Sequence, residues 1–417
     1  MTDTPRYRPA WHFTPRAHWM NDPNGLVFHR GTWHLFFQHH PHGSTWGPMH
    51  WGHATSTDLL HWDEQPIALR PDHLGMVFSG SAVLDDGNRS GLGPPGSQPL
   101  VAMFTHHDMA AEKAGRIDRQ HQSLAFSTDD GATWTPYAGN PVMPNPGIQD
   151  WRDPKLRWLP GRQCWTMALA CGDHIRFYSA PDLKHWTEDS RFGGPGVGAH
   201  GGVWECPDLM PLPAPDGRVL WVLLVSLTPG GPNGGSATQY FIGDFDGRTF
   251  TPHDTRTRWL DHGPDNYAGV TWAGVDDRAV FIGWMSNWQY ADKVPTAPWR
   301  SAMTMPRELR LQHGADGLRV ASVPAREVQA LCQPPALVHS VAALSGGTLD
   351  LSAGLVGMQG RVQLDLRTDA GRARSRLPGR HLRRQPDRLR GCAGGDGHLR
   401  AGQAAAIYSN GPGTSPG

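Results

Sequence analysis

Three acidic residues keep similar company along this chain. Asp22 lies in Trp19-Met20-Asn21-Asp22-Pro23-Asn24-Gly25, Asp153 in Trp151-Arg152-Asp153-Pro154, and Glu205 in Trp204-Glu205-Cys206-Pro207-Asp208. Each acid has a tryptophan and a proline close by, at or near the start of an apolar run. Cleavage of a glycosidic bond needs carboxylates held as a pair on one sugar ring. The flat faces of aromatic rings suit the C–H faces of sugars, and 18 tryptophans are available to supply them.

Taken singly, two of the acids have an ordinary structural explanation. Asp22-Pro23-Asn24-Gly25 is good turn sequence, because proline presets φ and Asn-Gly tolerates positive φ. Asp153 before Pro154 also suits a turn. Glu205 differs, since Trp204, Cys206 and Pro207 give it an apolar setting in which a carboxylate is costly unless paired or protonated. Such a setting is expected to raise its pKa toward the range that a general acid needs. Arg152 has two compatible uses, pairing with Asp153 or donating to sugar hydroxyls. Trp46, ahead of Gly47-Pro48, and Trp288, in Ser286-Asn287-Trp288, are the tryptophans best placed in loops to face a ligand. The His39-His40-Pro41-His42 run and the His106-His107 pair lack a second spaced cluster, so no metal is expected.

A repeat supplies the elements that position these acids. Ser56-Thr57-Asp58-Leu59-Leu60-His61-Trp62, Ser127-Thr128-Asp129-Asp130-Gly131-Ala132-Thr133-Trp134 and Ser179-Ala180-Pro181-Asp182-Leu183-Lys184-His185-Trp186 share one pattern, with a looser copy in Gly243–Phe250. Each reads as a strand, an Asp-centred turn, and an aromatic that opens the next strand. Their spacing fits one four-stranded antiparallel sheet per repeat, and radial repetition of such sheets makes a β-propeller. Between the copies run Asp22, Phe78-Ser79-Gly80-Ser81, Asp153, Glu205 and Tyr267-Ala268-Gly269-Val270-Thr271-Trp272. If these mark the innermost strands, the propeller has five blades and the three acids meet at one mouth of its channel.

Composition agrees with an all-β chain. Charged residues make up 18% of its 417 residues, against 51 glycines and 37 prolines, which favours short strands and tight turns. Lys+Arg and Asp+Glu both total 38, so no global field draws in nucleic acid or an anionic membrane, and neither is an expected partner. No apolar stretch is as long as a membrane helix. Residues 1–15 have no apolar signal core, and five scattered cysteines form no C-x-x-C pair. The chain as given is expected to be cytoplasmic, or secreted if its N-terminus has been trimmed.

The propeller is expected over residues 10–324, followed by a linker over 325–340 with a short helical piece. Residues 341–366 should open a C-terminal β-sandwich, partial or truncated. From Arg367 to Arg400 ten arginines and no lysine occur without an apolar period. The tail 367–417 is therefore expected to be disordered, or to derive from a shifted reading frame, with a basic nucleic-acid tail as the lesser alternative.

With these residues in view, the chain resembles glycoside hydrolase family 32, the β-fructofuranosidases. The motifs that carry the resemblance are Trp19–Gly25, Phe36-Phe37-Gln38, Phe78-Ser79-Gly80-Ser81, Arg152-Asp153-Pro154 and Trp204–Asp208, in that order, over about Trp11 to Leu331. The resemblance implies a five-bladed propeller followed by a β-sandwich. It implies Asp22 as nucleophile, Glu205 as general acid/base and Asp153 as the stabiliser that holds two fructosyl hydroxyls. It places Asn21, Gln38, Trp46, Phe78, Ser79, Arg152, Tyr267 and Trp288 in the fructosyl pocket, and requires no cofactor or metal. The stretch Gly283–Arg300 is similar to the levanase and exo-inulinase branch, which implies an exo-acting fructan hydrolase that also accepts sucrose. The match stops after Leu366. Alternatives are a fructosyltransferase or sucrose-specific invertase on the same site, an inverting propeller acting on arabinan or xylan, and a non-catalytic carbohydrate-binding propeller.

Overall fold

The computed structural model describes residues 7–330 and the backbone of three further strands, Leu337–Val341, Gly360–Leu364 and Gln403–Ser409. The chain divides into two compact units, 1–325 and 326–417.

The first unit is a five-bladed β-propeller. Its innermost strands are His18–His29, Met76–Leu84, Trp151–Leu159, Val203–Pro213 and Tyr267–Thr271, each at one edge of a four-stranded antiparallel arrangement. These are the segments the acid and Ser-Gly motifs marked. Each packs against the next around the ring, and the fifth packs against the first. The four antiparallel strands of each blade follow one another along the chain, and closure adds backbone links between the fifth blade's segment and the first blade. Ala273 bonds to the backbone of Leu26 and Phe28 (3.0 and 2.8 Å), and Trp299–Arg300 pairs in parallel with the inner edge of blade one.

The repeated turns join the third and fourth strands of blades one to four. Asp58 accepts from the N–H groups of Leu60 and His61 (2.9 and 2.8 Å), and Asp182 does the same for Lys184 and His185 (both 3.0 Å). The indoles of Trp62, Trp134 and Trp186 donate to the carbonyls of Leu59, Gly131 and Leu183. An aspartate that caps the turn and a tryptophan that closes over it explain why those two residues recur.

Buried polar contacts link neighbouring inner strands. Ser81 of blade two donates to the Pro154 carbonyl of blade three at 2.8 Å. Lys155 of blade three pairs with Asp208 of blade four at 3.1 Å, and Asp208 accepts from the backbone and hydroxyl of Thr271 in blade five (2.6 and 2.7 Å). Both charges are buried, so their pairing is what makes their presence tolerable.

All five inner strands break register near their starts. The shifts fall at Asn21-Asp22, Phe78-Ser79, Asp153-Pro154, Cys206-Pro207 and Ala268-Gly269. Asp153, Cys206 and Ala268 hold positive φ there (66°, 45° and 52°). A bulge places two successive residues against one partner and re-aims their side chains. The five bulges therefore lie at one level, near the starts of the five inner strands.

In the second unit a helix, Arg326–Ala330, precedes a three-stranded antiparallel sheet with Gln403–Ser409 between Leu337–Val341 and Gly360–Leu364. The strand Gln403–Ser409 lies within the stretch expected to lack structure, where Ala404-Ala405-Ala406-Ile407-Tyr408 is a short apolar run. Otherwise the expected linker, sandwich opening and tail fall largely outside the described residues.

Candidate active site

The bulge of blade one presents Asp22 to a cavity of about 240 Å³. Asp22 Oδ2 accepts from the Ser79 hydroxyl at 2.7 Å, and Oδ1 accepts from the Asn21 amide at 3.0 Å. Asn21 is fixed in turn by the Trp19 indole, which donates to its oxygen at 2.7 Å. Blades one and two thus share the job of orienting one carboxylate.

Asp153 is held from blades two and four. Its N–H donates to Thr105 Oγ1 at 3.1 Å, and its Oδ2 accepts from the Cys206 N–H at 3.0 Å. The Cys206 thiol bridges the two aspartates, 3.6 Å from Asp153 Oδ2 and 3.7 Å from Asp22 Oδ2. Burial pushes this thiol well above its usual range, so it stays a proton donor between two acids.

Glu205 departs from the sequence expectation. Its carboxyl is not in apolar surroundings: Oε1 accepts from Arg152 Nε and Nη2 (3.2 and 2.8 Å), and Oε2 accepts from the Tyr267 hydroxyl. The reason is the bulges. Glu205 occupies the place that Arg152 and Tyr267 hold in their blades, one residue before the positive-φ position, whereas Cys206 matches Asp153. Three residues from blades three, four and five therefore form one hydrogen-bonded tier, Arg152–Glu205–Tyr267. Asp153 and Cys206 form another, which reaches Asp22.

The charges respond to this crowding. Burial raises Asp22 above the ordinary aspartate range against the pull of the Asn21 amide, and nearby Glu205 adds to the rise. Burial pushes Asp153 up to about 7, opposed by Arg152 and reinforced by Glu205 and Asp22. Burial works against the Arg152 charge, but Glu205, Asp153 and Asp150 outweigh it and hold the guanidinium firmly protonated. The Tyr267 phenol is likewise pushed well above its usual range by burial, which keeps it a donor to Glu205.

The cavity wall contains Asn21, Gln38, Trp46, Phe78, Ser79, Arg152 and Trp288 together with the three acids, and Tyr267 reaches the site through Glu205. Gln38 donates to Asn24 Oδ1 and to the Val77 carbonyl (2.8 and 3.0 Å), which fixes it between blades one and two. Trp46 is 40% exposed at the mouth and meets Phe78 edge-on, with ring centroids 6.2 Å apart. Trp288 stacks on Trp19 at 5.9 Å. The two histidine runs serve local structure: His39 bonds the Trp19 carbonyl at 2.7 Å, and His107 stacks on Phe78 at 4.3 Å.

Five wall residues escaped the sequence reading: His107, Glu112, Arg119, Gln120 and Asp150. Four come from the second and third strands of blade two and the loop that joins them, which carries the short helix Met109–Lys113; Asp150 lies just ahead of blade three. A possible signal was Asp150, two residues before Arg152, as a second carboxylate within reach of that guanidinium.

Comparison with known proteins agrees with this arrangement. Residues 12–322 match the model of the glycosyl hydrolases family 32 N-terminal domain. The chain is 51% identical to the levanase of Bacillus subtilis over 333 residues, covering 78% of this chain and 48% of the levanase, about half its length. The crystal structure of exo-inulinase from Aspergillus awamori superposes with a TM-score of 0.79 at 41% identity, over 89% of this chain and 77% of that one. The fructofuranosidase from Schwanniomyces occidentalis, complexed with fructose, gives a TM-score of 0.70 at 37% identity, over 85% and 68%. With five blades, an ordered series of acid motifs and a family match over most of its length, the chain belongs to glycosyl hydrolases family 32.

Proposed function

We propose that this chain releases fructose from β-fructofuranosides, namely levan, inulin and sucrose, as an exo-acting fructan β-fructosidase with a retaining mechanism. The observation that carries this reading is the convergence of Asp22, Asp153 and Glu205 on one small cavity, each from a different blade. In the first step Asp22 forms a bond to the anomeric carbon of the fructosyl unit as the glycosidic C–O bond breaks. Glu205 gives its proton to the departing oxygen. In the second step Glu205 takes a proton from water, whose oxygen displaces Asp22.

Asp153 accepts from fructosyl hydroxyls, with Arg152 beside it. Trp46 and Phe78 offer apolar faces to the ring, and the limited cavity volume suits one terminal sugar unit. The likeness to a levanase, an exo-inulinase and a fructofuranosidase supports the substrate class. A non-catalytic sugar-binding propeller would have no need of two buried aspartates beside an Arg–Glu–Tyr tier.

Chromatography of early products from sucrose, inulin and levan tests this reading. Free fructose from the first time points is the expected result. Fructo-oligosaccharides instead would overturn exo attack, and kestose-type products from sucrose would assign the site to transfer.

A further inference from the structure

Asp150 is a buried-side carboxylate that the proposed chemistry leaves unused. It sits two residues before Arg152 and accepts from Arg152 Nη1 at 2.7 Å, while Arg152 Nε and Nη2 grip Glu205 Oε1. The guanidinium is therefore a bridge between two carboxylates, each with a side chain 18% exposed. The same Oδ1 of Asp150 also faces Arg119 Nη2 at 3.7 Å, and Arg119 Nε faces Glu112 at 3.7 Å. The backbone of Asp150 has φ of +55°, a conformation that costs most residues about 1–2 kcal/mol and that asparagine, aspartate and glycine tolerate best. The chain thus holds a carboxylate at one unfavourable backbone position from which it meets the arginine that orients the proton donor.

We infer that Asp150 is a positioning residue for proton delivery: it locks the Arg152 guanidinium so that Glu205 points its proton at the oxygen of the leaving sugar. The inference rests on Glu205 being the general acid/base. Arginine has a planar fork of donors, so anchoring Nη1 fixes the direction of the Nε/Nη2 edge. With that edge fixed and Tyr267 on the other oxygen, Glu205 has one orientation. Without the anchor, Arg152 can turn toward Asp153, the other carboxylate in its field. Arg119, near the same oxygen of Asp150, helps to offset its charge.

The consequence is selective. A sugar alkoxide leaves poorly without a proton, whereas a nitrophenolate or fluoride leaves with little help. Asp150→Asn and Asp150→Gly both suit the positive φ, so either variant isolates the side chain from the backbone. For each, kcat/KM is measured with sucrose and with p-nitrophenyl β-fructofuranoside, alongside Glu205→Ala and a thermal melt. The expected result is a loss on sucrose of roughly tenfold or more, the scale of one charge-assisted hydrogen bond, with the aryl fructoside within about threefold of wild type on the same reckoning. Glu205→Ala should show the same split, larger. Equal losses on both substrates, or no loss on either, in folded Asp150 variants would overturn the positioning role. If Glu205→Ala itself shows no split, it is the assignment of Glu205 that fails, and that outcome is distinct from the first.

Discussion

At the residue scale the site is a problem in crowding. Five acids and two arginines share a cavity wall, and burial makes the charges of Asp22 and Asp153 expensive. At Asp153 that cost takes a measurable form. Its folded pKa near 7 lies above the ordinary unfolded value of about 3.9, so the folded state binds this proton more tightly. The contribution is fully present below about pH 4 and is lost as pH rises through about 7. Asp153→Asn removes the group from this balance while keeping its shape. Urea unfolding at pH 4 and pH 8 should show the variant gaining on wild type at the higher pH, by on the order of 1–4 kcal/mol. A stability difference that is the same at both pH values would assign the slope to other groups. The variant's activity should fall sharply at pH 8, where an amide puts an NH2 donor in place of one of the two acceptor oxygens of the carboxylate.

At the scale of elements, two devices recur: the bulge at the mouth and the Asp-centred turn that links the outer strands. The turns were legible because their capping chemistry needs a particular residue at a particular offset, and Asp58, Asp129, Asp182 and Asp246 supply it. Inner strands were legible because X-Pro pairs and flanking tryptophans repeat in them. The bulges were not, since a register break leaves no mark in an apolar pattern. Glu205 therefore lies one residue ahead of the place Asp153 holds in its blade, and its polar neighbours Arg152 and Tyr267 replace the apolar setting that its flanking residues imply. Glu112, Arg119 and Asp150 were illegible for another reason: they reach the cavity from a one-turn helix and loops without a period, and Arg119 links Glu112 to Asp150 across blades. The turn device can be tested apart from the chemistry. Asp182→Ala should cost about 1–2 kcal/mol of stability by removing two backbone acceptor contacts. It should leave kcat/KM for sucrose unchanged, because the turn after a third strand lies at the opposite end of the blade from the bulges. A drop in activity without a drop in melting temperature would contradict that placement.

For the propeller as a whole, cohesion between blades rests on lateral packing plus a few buried polar links. The Lys155–Asp208–Thr271 contact joins three blades at once, behind the acid cluster. Burial pulls the Lys155 pKa down, and Asp208 is what opposes that pull. Asp208→Asn would leave a buried ammonium without its counter-charge, at a cost of about 3–5 kcal/mol. Differential scanning calorimetry should therefore show a much lower melting temperature. Restoration by a Lys155→Met change in the same chain would attribute the loss to the stranded charge.

Distribution of the site around the ring also sets when activity can exist. Asp22 is made early in synthesis and Trp288 late, and Trp299–Arg300 must then dock beside the first blade. No fragment lacking a blade can hold the three acids, the guanidinium and the phenol in place together. A growing chain on the ribosome can gain sheet structure blade by blade and still turn over no substrate. In refolding, circular dichroism and tryptophan fluorescence should recover ahead of hydrolysis, and catalysis should return as one late phase. The proposed catalysis is thus a clock that starts only when the circle is complete.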